Sequence, residues 1–585
     1  VSDTPLQPTN EASDALFARL DEVGVLANVH PIEPAATAWH LEREIVATAE
    51  GTLTLCDREV QVHVGLPADF PRRLPVIAVD RKGDLGRLPH VESDGTVCYQ
   101  PTEEPLLDHR NPLGIVSEAI MLAAGTLNDA LRGARAEEYA NEIAAYWNKA
   151  FPEAQCVVSV LDPTDEPRLV TAFSHKGDRT TVADDPAAFA SFRIGRNVQR
   201  LSFANALYVP IDPATIDPHF HPRDLATPDG VRAFVKPVLR RDKDLWHRIL
   251  RRCQGLEVVV VLGVRRPAGR RGLVGLLFKR EGSVHALDPD RLDARRILPV
   301  RIKPADRGFL VPRGGADPGL ASRRVLLIGC GAVGGHVAMN LVRAGLGEID
   351  LMDRDTFEYA NTFRHVCGRA HVGRPKVEGL RLEIERLWPF VVVKEHHADA
   401  LRWLREHPGG FCDYDLVISA LGNPTIEQRI NEVIHRGPSS PPAVFAWLEP
   451  LGIGGHVLVT HGGSASPGCF ECLYHRTGDP EALVCRTAFA TPGGQYTHDV
   501  MGCGSQYMTF GDLDAQKTAS QVARWAIELL RGGMVENSLL SWKGPVDAFA
   551  AAGFTTTPRY DLVAGEESLR GAEFARFDCP ICRSV

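Results

Sequence analysis

Four cysteines in two Cys-x-x-Cys pairs, Cys469/Cys472 and Cys579/Cys582, carry the plainest chemistry in this chain. Together they supply four thiolates, enough to close a tetrahedral zinc site with no open position for substrate. Such a site clamps the C-terminal tail to the preceding body, and zinc binding then contributes directly to folding. Three more cysteines stand in other settings. Cys98, in LPHVESDGTVCYQP, is flanked by glycine and prolines and is expected on a reachable loop. Cys503, in MGCGSQ, lies between two glycines just ahead of a long helical pattern, where a thiol gains access and acidity. Cys485, in ALVCRTAF beside Arg486, is its competitor. Each of the three also fits a small apolar residue of a core or loop.

Upstream of these pairs lies a glycine turn. GCGAVGG spans 329–335, and Gly329, Gly331 and Gly334 satisfy G-x-G-x-x-G between the apolar run RRVLLIG and the helical run HVAMNLVRAGLG. A turn without side chains lets backbone N–H groups and the positive end of a helix approach phosphate. Helix–strand packing is the other use of such glycines. Asp353 lies in the acidic end of GEIDLMDRD, where a ribose is held, and Asn361, Arg364 and Lys376 then supply an amide and two cations suited to phosphates. The turn alone points first to NAD. A dehydrogenase, however, needs neither those cations nor a thiol such as Cys98 in a separate region. ATP is therefore the expected ligand, and the expected chemistry is activation of a carboxylate followed by transfer along thiols.

At 585 residues the chain exceeds one hydrophobic core and should split into about three or four domains. With 44% hydrophobic and 24% charged residues it reads as globular, so its 41 prolines imply loops rather than disorder. A net charge of −9 gives no electrostatic case for binding nucleic acid. The first 30 residues are acidic and lack a basic start followed by an apolar stretch, which predicts no secretory signal. The apolar run 325–342 is broken by glycines and His336 and predicts strand, turn and helix, not a membrane span. Thirteen cysteines in so long a chain do not make a disulfide framework, and the paired spacing favours zinc in a reducing cytoplasm.

Four segments follow. Residues 1–34 read as an N-terminal extension, a loose tail or short helix. Residues 35–150 form an α+β pattern: EREIVATAEGTLTLC and REVQVHVGLP alternate as half-buried antiparallel strands, LPVIAVD adds another, and SEAIMLAAGTLNDALRG and EEYANEIAAYWNKAF have helical spacing. Residues 151–310 hold strand-like CVVSVL, ALYVPI, LEVVVVLGV and GLVGLLFKR with a helical stretch between, and predict an α/β connecting domain without a catalytic motif. Residues 311–585 alternate strand and helix from the glycine turn onward. There AVFAWLEPLGIGGHVLVT predicts a strand pair, and DLDAQKTASQVARWAIELLRGG a helix stopped by Gly-Gly.

GCGAVGG, LMDRD, NTFR and GRPK, in that order, resemble the ThiF/MoeB superfamily of adenylating enzymes, which includes the ubiquitin-activating enzymes. The resemblance covers roughly 320–585 and implies a Rossmann-like adenylation domain with a zinc site at Cys469, Cys472, Cys579 and Cys582. It also implies that Asp353 holds the ribose of ATP, while Asn361, Arg364 and Lys376 surround its phosphates with Mg2+. One departure stands out: ISALGNP puts Gly422 where these enzymes carry a magnesium-assisting aspartate. Either Asp413, Asp415 or Glu449 compensates, or the metal is held by phosphate oxygens and water.

Residues 35–150 resemble a ubiquitin-conjugating enzyme, through PADFPRRLPVIAV, LPHVESDG and GTVCY. This implies Cys98 as the conjugating nucleophile. The usual His-Pro-Asn is absent, since His90 is followed by Val91 and Glu92; His90 is then expected to be structural, with oxyanion stabilisation from backbone or another side chain. The order of conjugating, connecting and adenylating domains, with WLEPLGIGGH and PGCFECLY, is similar to the fused ubiquitin-transfer-like proteins of bacterial CBASS antiphage operons. That resemblance implies a homodimer through the adenylating domain. It further implies adenylation of the C-terminal tail of a cGAS-like cyclic-oligonucleotide synthase, a thioester relay from Cys503 to Cys98, and conjugation to a target amine that primes antiphage signalling. Both thiols are then expected to be accessible and easily deprotonated. The alternative is an activator of a ubiquitin-like or sulfur-carrier protein in another pathway.

Overall fold

The computed structural model describes residues 10–582 except 38, 42, 81–86, 93, 101–104, 135–137, 175–179, 193–201, 218–219, 268, 283, 289–292, 438, 463–466, 478–481 and 500–505. The chain divides into two units, residues 1–158, 163–180 and 203–303 in one and residues 159–162, 181–202 and 304–585 in the other.

In the first unit, helix α1 (Asn10–Glu22) precedes a four-stranded antiparallel meander, β1 (Ala27–Ile32), β2 (Ile45–Leu55), β3 (Arg58–Pro67) and β4 (Val76–Val79), in sequential order. Along β3, Val60, Val62 and Val64 are buried while the residues between them are more open, the period of two expected of a half-buried sheet. Helix α2 (Pro112–Leu131) lies on that face; the Asn111 side chain accepts from Gly114 N–H, and Pro112 opens its first turn. The stretch expected as an extension is part of this layer. Phe17, Leu20 and Leu26 share its core and β1 pairs with β2, because four strands cover their apolar face only with a helix on each flank of the sequence.

The boundary expected at 150 also shifts. In α3 (Glu138–Asn141) and α4 (Ile143–Ala150), Tyr139, Ile143 and Trp147 are buried with the apolar residues of the next strands, and Trp147 Nε1–H donates to the Val300 carbonyl at 2.9 Å. Those strands, β5 (Ser202–Ile211), β6 (Glu257–Val264), β7 (Gly272–Lys279) and β8 (Ile297–Pro304), belong to a barrel. β5 and β6 pair parallel, and β7 pairs antiparallel with both β6 and β8. β6 is buried along nearly its whole length, as the unbroken run VVVVLGV requires.

The second unit is built on an eight-stranded sheet. In chain order its strands are β9 (Arg324–Ile328), β10 (Glu348–Met352), β11 (Val392–His396), β12 (Leu416–Ser419), β13 (Ala443–Leu448), β14 (Gly454–Thr460), β15 (Ser538–Lys543) and β16 (Glu566–Arg570). In space they run β11-β10-β9-β12-β13-β14-β15-β16. The first five are parallel and the last three add antiparallel. Helices α5 (Ala332–Arg343), α6 (Lys376–Leu387) and α8 (Asp512–Leu530) share one core with the sheet, and α7 (Pro424–Arg436) lies in the other. The chain order reverses between β9 and β12, so a crevice opens beyond their carboxyl ends, where doubly wound sheets bind ligands. Glycine turn, acidic strand end and strand pair therefore stand as expected, in an α/β fold.

Candidate active site

The glycine turn divides its labour. Gly329 has φ +93° and a Cβ there would lie 2.8 Å from Ala420 backbone atoms; a Cβ on Gly334 would lie 1.8 Å from the Gly329 carbonyl oxygen. Both positions are closed by packing. At Gly331, which precedes the first residue of α5, nothing lies within 4 Å of an added Cβ, and the residue faces a cavity of about 710 Å³. This leaves bare backbone and the positive end of a twelve-residue helix at the cavity wall.

Asp353 braces the turn. One carboxylate oxygen accepts from Cys330 N–H at 2.7 Å and the other from Asp355 N–H at 2.8 Å. His365 braces it through the Cys330 carbonyl. Its Nδ1 accepts from Cys367 N–H, so its Nε2 carries the proton and donates to the Cys330 carbonyl at 2.6 Å. Burial holds this imidazole neutral, pushing its pKa down to about 4.

Asn361, Arg364 and Lys376 all line the same cavity. Asn361 Oδ1 accepts from Glu358 N–H at 2.9 Å, which leaves its amide donors for the cavity. The Lys376 ammonium is largely buried and rests on Asp355 at 2.8 Å. Arg364 makes no ion pair among the described residues; its guanidinium stands 5.7 Å from the Phe510 ring centroid. One amide, one uncommitted guanidinium and one lysine thus converge beside the start of α5, an arrangement that receives several negative oxygens.

Of the acids expected to make good the missing aspartate, Asp413 and Asp415 do not reach the cavity. Asp413 is exposed elsewhere, and Asp415 is bound to Arg323 and to Arg324 N–H, both at 2.8 Å. Glu449 does line the cavity, but its carboxylate bonds His456 and the N–H groups of Phe489 and Ala490. The acid that the sequence reading overlooked is Glu427, on α7. It is buried in the cavity wall, accepts from Ser419 Oγ at 3.0 Å and lies near the backbone of Leu421 and Gly422. Burial outweighs those bonds and raises its pKa to about 8. Its place in NPTIEQR, one turn into a helix that follows Gly422, was the available signal.

Cys485 lines this cavity as well. Its sulfur lies 3.2 Å from Thr487 Oγ1, and burial raises its pKa despite that contact. Cys503 lies outside the described residues.

The four paired cysteines meet. Cys469, Cys472, Cys579 and Cys582 are all buried, their sulfurs lie within 4.8 Å of one another, and three of the separations are 4.0, 3.6 and 3.5 Å. A tetrahedron of Zn–S bonds of about 2.3 Å has edges of about 3.8 Å, so the donor set fits zinc. The shared thiol bonds pull Cys472, Cys579 and Cys582 down and push Cys469 up, and a bound cation would favour the thiolate at all four.

In the first unit Cys98 is exposed on the loop after β4. Its N–H donates to the His90 carbonyl at 2.8 Å, and His90 N–H donates to Tyr146 Oη at 2.7 Å. His90 has φ +62° and its ring contacts Glu138 at 3.2 Å, so it holds the loop, as expected of a structural histidine. The expectation of an acidic thiol is corrected here. Partial burial and the charge of Glu142 raise the Cys98 pKa, and Arg43 offsets this only in part.

Comparison with known proteins decides the domain types. Residues 315–536 match the family model described as "ThiF family", and residues 44–155 match "Prokaryotic E2 family B". The chain joins a ThiF-type adenylation domain to an E2-like domain. Among relatives, it is 23% identical over 466 residues to the ATP-dependent ubiquitin transferase-like protein Cap2 of Pseudomonas aeruginosa, which covers 76% of this chain and 80% of that one. It is 33% identical over 197 residues to the adenylyltransferase and sulfurtransferase uba4 of Aspergillus fumigatus, 32% of this chain and 39% of that one. It thus spans only about two fifths of the latter, as it does of the uncharacterized protein y4qC of Sinorhizobium fredii, of which 41% is covered. Among solved structures, E. coli MccB with ATP aligns over 45% of this chain and 68% of that one, at 18% identity and a TM-score of 0.32.

The cavity around Gly331, Arg364 and Lys376 lies in the ThiF-type domain, and Cys98 is an exposed thiol of the E2-like domain. No helix among the described residues is long and apolar enough to cross a membrane.

Proposed function

We propose that the adenylation domain uses ATP to activate the C-terminal carboxylate of a partner polypeptide, and that the acyl group then passes through thiols to Cys98 and onto an amine. The carboxylate oxygen attacks the α-phosphorus of ATP and pyrophosphate leaves. A thiolate then attacks the acyl carbon and AMP leaves, exchange of thioesters moves the group to Cys98, and an amine takes it. Asp353 accepts from the ribose hydroxyls. Gly331 N–H, Asn361, Arg364 and Lys376 receive the phosphate oxygens, where their charge counters what builds up as pyrophosphate departs. Mg2+, if bound, would neutralise phosphate charge; with burial holding Glu427 in its neutral form and Glu449 committed to His456 and two backbone N–H groups, phosphate oxygens and water would be left to hold it. The observation that carries this reading is the meeting of an uncommitted Arg364 with Lys376 at the start of α5, in one cavity.

The relay thiol of the adenylation domain is Cys503, from its glycine setting, with Cys485 as the competitor because it lines the ligand cavity. For the partner, matches to adenylyltransferase and sulfurtransferase relatives favour a ubiquitin-like or sulfur-carrier protein. The narrower reading, the tail of a cGAS-like cyclic-oligonucleotide synthase in antiphage defence, draws its support from the fused domain order and from likeness to Cap2 across both domains. A homodimer through the adenylation domain and a cytoplasmic location complete the proposal. ATP–pyrophosphate exchange tests it, with a sulfur-carrier protein in one arm and a cyclic-oligonucleotide synthase in the other. Exchange that needs one partner and an intact Lys376 supports the reading and chooses the partner; exchange with neither overturns it.

A further inference from the structure

The barrel of the first unit carries a cavity of about 730 Å³ that the proposed reaction does not use. It lies beyond the carboxyl ends of β5 and β6, which pair parallel as far as Ile211 and Val264. The helices Lys236–Arg241 and Lys243–Arg252, which belong to the crossover between those two strands, supply its side. The carboxyl ends of parallel strands are where α/β units open a ligand crevice.

Five arginines reach the lining from segments far apart in the chain: Arg168, Arg241, Arg248, Arg265 and Arg271. Their commitments differ. Arg271 builds the wall: it is largely buried, and its Nη1 donates to the Ile211 and Gly263 carbonyls at 3.1 and 2.9 Å. Its Nε and Nη2 hold Asp165 at 3.0 and 2.6 Å. Arg168 donates to Thr164 Oγ1 at 2.7 Å and stands 4.6 Å from the Tyr208 ring centroid. Arg265 is mostly exposed and approaches Asp212 no closer than 3.6 Å. Arg241 and Arg248 are exposed and make no hydrogen bond or ion pair among the described residues.

The acids of the lining do not answer these two. Asp165 is taken by Arg271, and Asp242 caps the helix Lys243–Arg252, accepting from the N–H groups of Asp244 and Leu245 at 2.8 and 3.0 Å. Glu166 is the one lining carboxylate without a partner among the described residues. Two uncommitted guanidiniums and a loosely held third therefore face one free carboxylate.

We propose that this cavity is a second ligand site, which takes an organic phosphate of about nucleotide size. A phosphate monoester is a near-dianion with three acceptor oxygens, suited to guanidiniums that arrive from two helices and a strand end, whereas one guanidinium fork satisfies a carboxylate. The volume lies within the roughly 300–1,000 Å³ of small-molecule sites, more than a bare phosphate fills. Leu169, Pro210, Val238 and Leu245 line the remainder with apolar surface for the body of the ligand. Arg241 and Arg248 clamp the phosphate, and Arg265 leaves Asp212 for it.

Equilibrium dialysis of the full chain against radiolabelled guanosine monophosphate, without ATP, tests the site. Because the adenylation domain has its own phosphate-facing cavity, Lys376→Ala is run beside the double variant Arg241→Glu/Arg248→Glu. Both arginines are exposed, so the double variant should melt at the wild-type temperature. Binding should saturate in wild type, persist in Lys376→Ala and weaken at least about tenfold in the double variant. Arg241→Lys/Arg248→Lys keeps the charge without the fork and should fall between.

Inorganic phosphate and a hexaglutamate peptide serve as competitors, and both should displace the nucleotide far less well than unlabelled guanosine monophosphate. Equal potency of inorganic phosphate overturns the assigned class. Hexaglutamate that binds at the two arginines in place of the nucleotide makes this a polypeptide surface and overturns it too. Nucleotide binding that survives the double variant and is lost in Lys376→Ala belongs to the adenylation domain and defeats the proposal, as does the absence of binding tighter than about 1 mM.

Discussion

Gly334 lies so close to Gly329 that a single added Cβ would stand 1.8 Å from the Gly329 carbonyl oxygen. Gly331, between them in sequence, has nothing within 4 Å of that position. Two of the three glycines therefore serve the approach of α5 to the turn, and the third opens onto the cavity.

Substitution should separate these roles. Gly334→Ala must push apart two pieces of backbone and should destabilise the adenylation domain by about 1–3 kcal/mol. Gly331→Ala should melt near the wild-type temperature and instead weaken ATP binding, because its methyl group enters the cavity. Thermal melts with and without ATP check both.

Lys376→Ala should leave the fold intact and reduce adenylate formation by about 100-fold, the loss typical of removing one preorganised partner of a developing charge. Arg364→Ala should behave similarly, since no ion pair among the described residues depends on Arg364. Pyrophosphate exchange that is unchanged in Lys376→Ala removes that residue from the site.

Glu427 predicts a pH dependence. Its folded pKa is raised to about 8 from an ordinary 4.5, so the native state holds a proton that the unfolded state gives up. The stabilisation is fully present below the unfolded value and is lost as pH rises through the folded one. Wild-type stability should therefore decline between about pH 4.5 and 8 by more than that of Glu427→Gln, which stays neutral. Denaturant midpoints across that range measure the difference, and parallel profiles would contradict the assignment.

Much of this was legible in the residues. The order of glycine turn, Asn361, Arg364 and Lys376 was enough to predict residues that share one cavity, because a parallel sheet brings its strand ends and helix starts to one edge. Asp353, by contrast, braces the turn and is not in the cavity lining. The paired Cys-x-x-Cys spacing was enough to predict a closed site. Glu427 was not legible, since a glutamate in an amphipathic helix looks like a solvated one until the packing of α7 is known. Nor was the sharing of α3 and α4 with the barrel, where Trp147 finds its partner 153 residues later. Cys98 was read correctly as exposed but wrongly as acidic, because the partial burial that raises its pKa, and the added charge of Glu142 forty-four positions away in sequence, arise only in the folded chain.

The purified protein should carry one zinc per chain at Cys469, Cys472, Cys579 and Cys582. Cys472→Ser should lose the metal and lower the melting temperature, as should prolonged chelation. Because the four thiolates leave no open position, exchange activity per folded molecule should not depend on which tetrahedral metal fills the site. Metal analysis returning no zinc from a folded protein would defeat the assignment.

The thiol relay is the centre of the account, and intact-mass spectrometry of the full chain with ATP and a partner polypeptide, before and after dithiothreitol, tests it most directly. Wild type should show an ATP-dependent, reducible adduct on Cys98. Cys98→Ala should stall with the adduct on the adenylation domain, and Cys503→Ala should adenylate without charging Cys98. If Cys485→Ala has that effect instead, Cys485 is the relay thiol. An ATP-dependent product that forms equally well without Cys98, with no reducible adduct at any stage, would contradict the account.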